Sequence, residues 1–256
     1  MFERAHHRRV AEVLSAINAD LMVRQRCLFG GGTAIVLSHS EYRESLDIDF
    51  ICSSIEGYRS LRGTVNSKGF QALLTRPCTM PREAKIDQYG IRTALLVQEI
   101  PVKLEIIFEG RIELSPPLES QRICQVWTLA DEDRVATKLM ANSDRWADDS
   151  VLSRDLIDLA MLCVDGRIAA AGVAKALHAY GPSVLVDLQK ARDRLLRRED
   201  RLAKCMKGMG MTMREAELRA RIAALTVELP MEAPPSSAES GSASTPPAAR
   251  GKPPRR

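Results

Sequence analysis

Aromatic residues make up only 4% of the 256-residue chain, as two Trp, four Tyr and five Phe. A core built from this sequence must therefore be mostly aliphatic. Six cysteines, at 27, 52, 78, 124, 163 and 205, contain no CxxC pair and no zinc spacing, which argues against a structural zinc module. Several sit in apolar runs, Cys52 after Ile51 and Cys163 after Leu162, so they read as buried reduced thiols and point to a cytoplasmic protein. No apolar run reaches the roughly 18 residues of a membrane span, so no membrane partner is expected. The opening stretch MFERAHHRRVAEVL carries charge where a secretory signal carries an apolar segment, which predicts no signal peptide. No Gly-Lys-Ser/Thr follows the glycine run at 30–32 and no GxGxxG occurs, so neither a Walker A loop nor a dinucleotide fingerprint is present. No internal repeat is visible.

What remains is ordinary globular material, 45% hydrophobic and 27% charged, enough for one large domain or two small ones. The formal charge of +4 and pI near 8.8 are compatible with a nucleic-acid partner without requiring one. Val10, Val13, Leu14, Ile17 and Leu21 fall at helical spacing and predict an amphipathic helix over 5–22. Residues 26–29 read as a short strand, 34–37 as a short buried helix, and 57–75 as a helix with a connecting strand. Runs at 91–98 and 102–108 read as an antiparallel hairpin with Ile100-Pro101 between them. Beyond Ser115-Pro116-Pro117 the pattern is helical, over 129–142 (with Thr128 as cap), 151–165, 167–179, 182–204 and 212–227. From Pro230 onward Pro, Ser, Ala and Gly dominate, a composition that predicts disorder.

Three features carry chemistry, in order along the chain. Gly30-Gly31-Gly32, between a strand and a helix, lets backbone N–H groups approach an anion; alone, it also fits a tight turn. Asp47-Ile48-Asp49 places two carboxylates on one face of a strand, with Ile48 and Phe50 on the other. Two like charges so placed repel unless a cation lies between them, and an oxygen-only ligand set suits magnesium or manganese. Taken alone, the same motif fits a solvent-facing strand. Glu105, in VKLEII, alternates with apolar residues in the same way; alone, it also fits a cross-strand ion pair. Three carboxylates together would suit a two-metal site of the kind that clamps both oxygens of an in-line phosphoryl displacement.

The ordered set Gly31-Gly32-Thr33-Ala34, then Arg43-Glu44-Ser45-Leu46-Asp47-Ile48-Asp49-Phe50, then Glu105, resembles the signature of polymerase-β-type nucleotidyltransferases. More closely it resembles the AbiEii/AbiGii toxin family of type IV toxin–antitoxin systems. The likeness continues through Thr128 to Leu139, similar to the family's lysine-bearing helix, and through Ser153-Arg154-Asp155-Leu156-Ile157-Asp158-Leu159, similar to its R-D-x-x-D-L helix.

The resemblance implies an α+β fold: a polymerase-β-like core, a small mixed sheet flanked by helices, over 1–115, then a helical region over 116–228 and a loose tail over 229–256. It implies that Asp47, Asp49 and Glu105 hold Mg2+, or Mn2+, and that Glu105 also helps deprotonate the attacking hydroxyl. Gly31, Gly32 and Thr33 would hold phosphates, Lys138 would neutralise the triphosphate, and Asp155 and Asp158 would face the nucleotide, with Arg43 and Ser45 touching phosphate or substrate. The expected partners are a nucleoside triphosphate, a tRNA or other RNA acceptor and a cognate antitoxin. A small-molecule acceptor of the antibiotic type, or a catalytically silent binding module, stays open as an alternative. Eight basic residues against three acids over 190–207 suit an RNA backbone, an acidic protein or water alike. Trp146 suits base stacking or packing, and His6-His7-Arg8-Arg9 reads as an exposed polar helix face.

Overall fold

The computed structural model describes residues 2–163 and 165–229; the tail expected to be disordered lies outside them, apart from Leu229. The helix expected over 5–22 is two helices, α1 (Ala5–Leu14) and α2 (Ala19–Arg24). The break falls at Asn18, whose side chain caps α2 by accepting the Leu21 N–H while its own N–H is donated to the Leu73 carbonyl. A side chain that serves the backbone in this way competes with a continuous helix.

Strand β1 (Cys27–Gly30) leads into α3 (Gly31–Ser38), and β2 (Ile48–Cys52) leads into α4 (Ile55–Lys68), capped by Ser54. A short 3-10 turn at Phe70–Leu73 replaces the expected connecting strand. Then come β3 (Lys85–Ile86), β4 (Gly90–Val97) and β5 (Ile100–Phe108). The sheet runs β1-β2-β5-β4-β3, with β2 and β5 parallel and the other pairs antiparallel, so it is the small mixed sheet expected.

The β4–β5 hairpin forms, but its turn is Gln98-Glu99, at φ 51° and 63°, not Ile100-Pro101. Two consecutive positive φ values are what a two-residue hairpin turn needs. Pro101 sits inside β5 opposite Leu96, whose own N–H points away to the Thr79 carbonyl. The missing proline N–H therefore faces neither β4 nor β2, which pairs only from Leu104 onward.

A minor hairpin, β6 (Arg122–Ile123) and β7 (Val126–Trp127), precedes α5 (Asp131–Arg145). Thr128 does not cap α5; the N-cap position is Ala130, and the Thr128 hydroxyl accepts from Arg134 and donates to the Gln121 carbonyl. A 3-10 turn at Asp149–Val151 precedes α6 (Arg154–Leu162), followed by β8 (Arg167–Ile168) and α7 (Ala170–Tyr180). The single helix expected over 182–204 is split into α8 (Ser183–Arg197) and α9 (Arg201–Gly208) by Asp200, at φ 55°. Last come α10 (Glu215–Ala224) and β9 (Thr226–Val227), which pairs in parallel with β8. The strands in β3, β6, β7, β8 and β9, two residues each, are too short for periodicity to reveal.

Two apolar clusters result. One lies under the sheet among α1, α4 and the inward residues of β1, β2, β4 and β5, with Phe29 and Phe50 tilted at 5.7 Å between ring centroids. The other gathers α5 to α10 and takes in Ile35 and Val36 of α3, Ile51 of β2 and Ile112 and Leu114. Both are mainly aliphatic, as the scarcity of aromatics requires. All six cysteines are free thiols; Cys27, Cys52, Cys163 and Cys205 are buried, whereas Cys78 and Cys124 are only half-buried. No helix among the described residues is long and apolar enough to cross a membrane.

Candidate active site

A cavity of about 640 Å³ opens between the outer face of the sheet and helices α5 and α6. Alternation on the strands decides what reaches it. Asp49 and Ile51 from β2, and Glu105 and Ile107 from β5, face the cavity, while Ile48, Phe50, Leu104 and Ile106 are wholly buried on the opposite side. The parallel register sets Asp49 directly beside Glu105, and Arg92 of β4 lies opposite Glu105 on its other side. Asp47 is one residue ahead of β2 and lines the same cavity.

Asp49 is half-buried between like charges. Burial, then the neighbouring Asp47 and Glu105 carboxylates, push its carboxyl up to about 6, with Lys138 and Arg154 pulling the other way. The other two acids have basic neighbours: Lys103 Nζ lies 4.0 Å from Asp47, and Arg92 Nε 3.8 Å from Glu105. Among the described residues no three His, Cys, Asp or Glu side chains are drawn together closely enough to enclose a metal ion. The donor chemistry nevertheless suits one: three carboxylates on one face, one of them raised to about 6 by burial and then by like charges that a divalent cation would offset.

Gly31 makes this packing possible. It adopts φ +66°, and a Cβ there would fall 2.2 Å from an Asp49 carboxylate oxygen. Glycine is therefore needed both for the left-handed turn and for the close approach of backbone to carboxylate. Gly32 and Thr33 follow in the first turn of α3 and line the cavity. The Thr33 hydroxyl is not turned outward, however; it donates to the Asp47 carbonyl and lies 2.8 Å from the Ser45 hydroxyl.

Behind the acids lies a buried ionic cluster. Lys138 Nζ is 2.9 Å from Asp155 and 2.7 Å from Asp158. Arg43 grips Asp158 through Nε and Nη2 at 2.8 and 2.9 Å, and Tyr42 donates to the same carboxylate at 2.6 Å. Arg145 grips Asp155 at 2.6 and 2.9 Å. Burial alone pushes the Asp155 and Asp158 carboxyls up. The cations more than reverse it, holding Asp155 well below the usual carboxylate range and lowering Asp158 as well. Asp158 is fully enclosed, so it meets Arg43 and Lys138 and not solvent. Lys138 is buried yet lines the cavity.

Two residues were misread or passed over. His7 is wholly buried against Glu41, not exposed as its charged surroundings suggested. Arg154 lines the cavity and, among the described residues, makes no ion pair, although an arginine beside Asp155 reads as that acid's partner. The basic run at 190–207 is partly neutralised: Arg194, Arg198 and Arg201 converge on Asp149, and Lys190 lies against Asp187. Trp146 packs on the helical core under the Lys190 ammonium, 5.5 Å from its ring centroid.

A glycine turn, an Asp-x-Asp edge and a third acid line one cavity, the arrangement expected of a nucleotidyltransferase. Residues 12–236 match the family model for the nucleotidyl transferase AbiEii toxin of type IV toxin–antitoxin systems, and the chain belongs to that family. Two Helicobacter pylori structures overlap it loosely. A provisionally assigned nucleotidyltransferase is 17% identical at a TM-score of 0.48, covering 84% of this chain and 89% of its own. JHP933 is 20% identical at 0.49, covering 87% and 90%. No curated protein matches in sequence.

Proposed function

We propose that the chain transfers a nucleotide from a nucleoside triphosphate to an RNA acceptor, tRNA foremost, with release of pyrophosphate. The observation that carries this reading is the pairing of Asp49 with Glu105 beside Asp47, over a glycine turn that admits no side chain. Asp47 and Asp49 would hold Mg2+ or Mn2+, with Glu105 joining once its side chain leaves Arg92. When bound, the ions supply Lewis-acid polarisation and offset charge on the reacting phosphate. The chain's own groups do the rest. Backbone N–H groups at Gly31 and Gly32, at the start of α3, face the phosphates. Glu105 would accept the proton of the attacking hydroxyl.

Lys138 is bound to two carboxylates and acts mainly through the field it casts on the cavity. Arg154, with no carboxylate partner among the described residues, takes the direct contact with the triphosphate. Asp155, Asp158 and Arg43 hold that arrangement in place, and Ser45 and Thr33 fix the loop that carries Asp47. A cognate antitoxin is the protein partner that membership of a type IV toxin family brings with it.

The test is label transfer. Each α-labelled nucleoside triphosphate is incubated with the protein, Mg2+ and total tRNA, alongside Asp49→Ala. Label on tRNA with the unaltered chain alone is the expected result. Label on neither RNA nor a panel of aminoglycosides, across all four triphosphates, would sink the transferase reading. Label on the small molecules alone would replace the acceptor.

A further inference from the structure

Between the end of α3 at Ser38 and the start of β2 at Ile48 the chain has no regular structure, yet this segment delivers Asp47. Tyr42 and Arg43 tie its middle to Asp158, and α1 with the residues just before it holds the stretches on either side. His7 is wholly buried. Its Nδ1 lies 2.7 Å from a Glu41 carboxylate oxygen, and its Nε2 lies 3.2 Å from the Ser45 backbone nitrogen. One protonation state satisfies both contacts: the ring proton sits on Nδ1 and is donated to Glu41, leaving an Nε2 lone pair to accept the Ser45 N–H. An imidazolium, or the other tautomer, would set N–H against N–H at Ser45. Burial lowers the His7 pKa, against the pull of Glu41, in keeping with a neutral ring.

Glu41 is itself fixed. It accepts from the backbone N–H groups of Glu3 and Arg4, at 2.6 and 3.2 Å, and its carbonyl accepts from the Arg4 guanidinium at 3.1 Å. From Ser45 the network reaches Asp47 in two steps. The Ser45 hydroxyl meets Thr33 at 2.8 Å, and the Thr33 hydroxyl donates to the Asp47 carbonyl. His6 adds a contact at 2.9 Å to the Leu46 carbonyl. Among the described residues the Asp47 carboxylate pairs with one cation, Lys103 at 4.0 Å, too distant to set its direction.

We infer that His7, held as the Nδ1–H tautomer by Glu41, is a positioning residue that fixes the backbone at Ser45 and so aims the Asp47 carboxylate at the divalent cation. This rests on the metal-binding role assigned to Asp47 above. A misplaced peptide at Ser45 lets Asp47 swing, and outer-shell partners of metal ligands govern affinity in this way.

Mn2+ binding to the full chain, read from the free-ion electron paramagnetic resonance signal, tests it without reference to turnover. His7→Asn keeps a donor for Glu41 but loses the acceptor for Ser45. His7→Gln places an amide oxygen near the former Nε2. The expected result is Mn2+ binding weakened by about 10-fold or more in His7→Asn, near-unaltered binding in His7→Gln, and loss in Asp47→Asn. Equal affinity in His7→Asn and the unaltered chain overturns the inference. No binding by the unaltered chain at millimolar Mn2+ overturns the metal reading on which it stands. If His7→Asn does not fold, nitrogen-15 shifts of the His7 ring in the unaltered protein decide the matter. A protonated Nε2 there overturns the inference and an unprotonated one supports it.

Discussion

Asp49 and Glu105 stand side by side on the parallel strands β2 and β5, two carboxylates in neighbouring positions on the face that opens to the cavity. Side by side in a sheet, like charges destabilise. The chain carries this cost at the point where the sheet meets the cavity, and a third carboxylate, Asp47, adds to it.

Replacing Asp49 by Asn should therefore stabilise the metal-free protein. The folded-state carboxyl lies at about 6, above its ordinary value of 3.8, so the folded state disfavours the ionised form. The penalty is absent below pH 3.8, where both states are protonated, and complete above pH 6. A rise from 3.8 to about 6 corresponds to at most about 3 kcal/mol, or several degrees in Tm for a chain of this size. Melting curves in chelator at pH 8 and pH 4 should show Asp49→Asn gaining stability over the unaltered chain only at the higher pH. An equal difference at both would mean that the ionised Asp49 carboxylate, penalised by burial and by its like-charged neighbours, is not the cause.

Asp158→Asn should act in the opposite direction. It removes a charge shared by Arg43 and Lys138 inside the protein and leaves both cations undercompensated. Breaking one partner of a buried pair costs about 3–5 kcal/mol. Urea unfolding should register a loss of that order, with the midpoint falling and the slope unchanged. A change below about 1 kcal/mol would show that water or a rearranged Lys138 takes over the missing charge.

Gly31→Ala should separate folding from function. The φ of +66° costs an alanine about 1–2 kcal/mol, which a folded domain tolerates. The added Cβ, 2.2 Å from the Asp49 oxygen, has no such latitude, and the carboxylate must move. The expected outcome is a folded protein, by circular dichroism and a cooperative melt, that has lost nearly all nucleotidyl transfer.

Much of this site is visible in sequence because it is local. Alternation in Asp47–Ile51 and in Val102–Phe108 assigns each carboxylate to a face, and the glycine run marks the turn. What sequence reading missed is either non-local or stereochemically atypical. Arg43 and Asp158 meet across 115 positions, so neither residue advertises the other. His7 looks like part of a charged helix face because nothing near it in sequence reveals Glu41, 34 positions away. The turn at Gln98-Glu99 escaped because neither residue is the Gly or Asn that such a turn favours, and Pro101 drew attention instead. The division of the helix over 182–204 turns on a single left-handed residue, Asp200, which periodicity cannot register.

Arg154 and Lys138 should differ in kinetics although both line the cavity. Arg154 has no carboxylate partner among the described residues, whereas Lys138 is shared between Asp155 and Asp158. A free guanidinium beside the phosphates makes charge-assisted hydrogen bonds worth about 1.5–3 kcal/mol, equivalent to roughly 10- to 100-fold in affinity. Arg154→Gln should then raise the KM for the triphosphate by about that factor, with Tm almost unmoved, because no buried charge loses its partner. Lys138→Met should lower Tm by several degrees, since Asp155 and Asp158 each keep only one cation. Steady-state kinetics at varied triphosphate, with melting curves on the same preparations, reads both effects. If Lys138→Met raised KM as Arg154→Gln is expected to while leaving Tm unchanged, Lys138 would be the phosphate-binding cation, and its ion pairs would have to open when nucleotide enters.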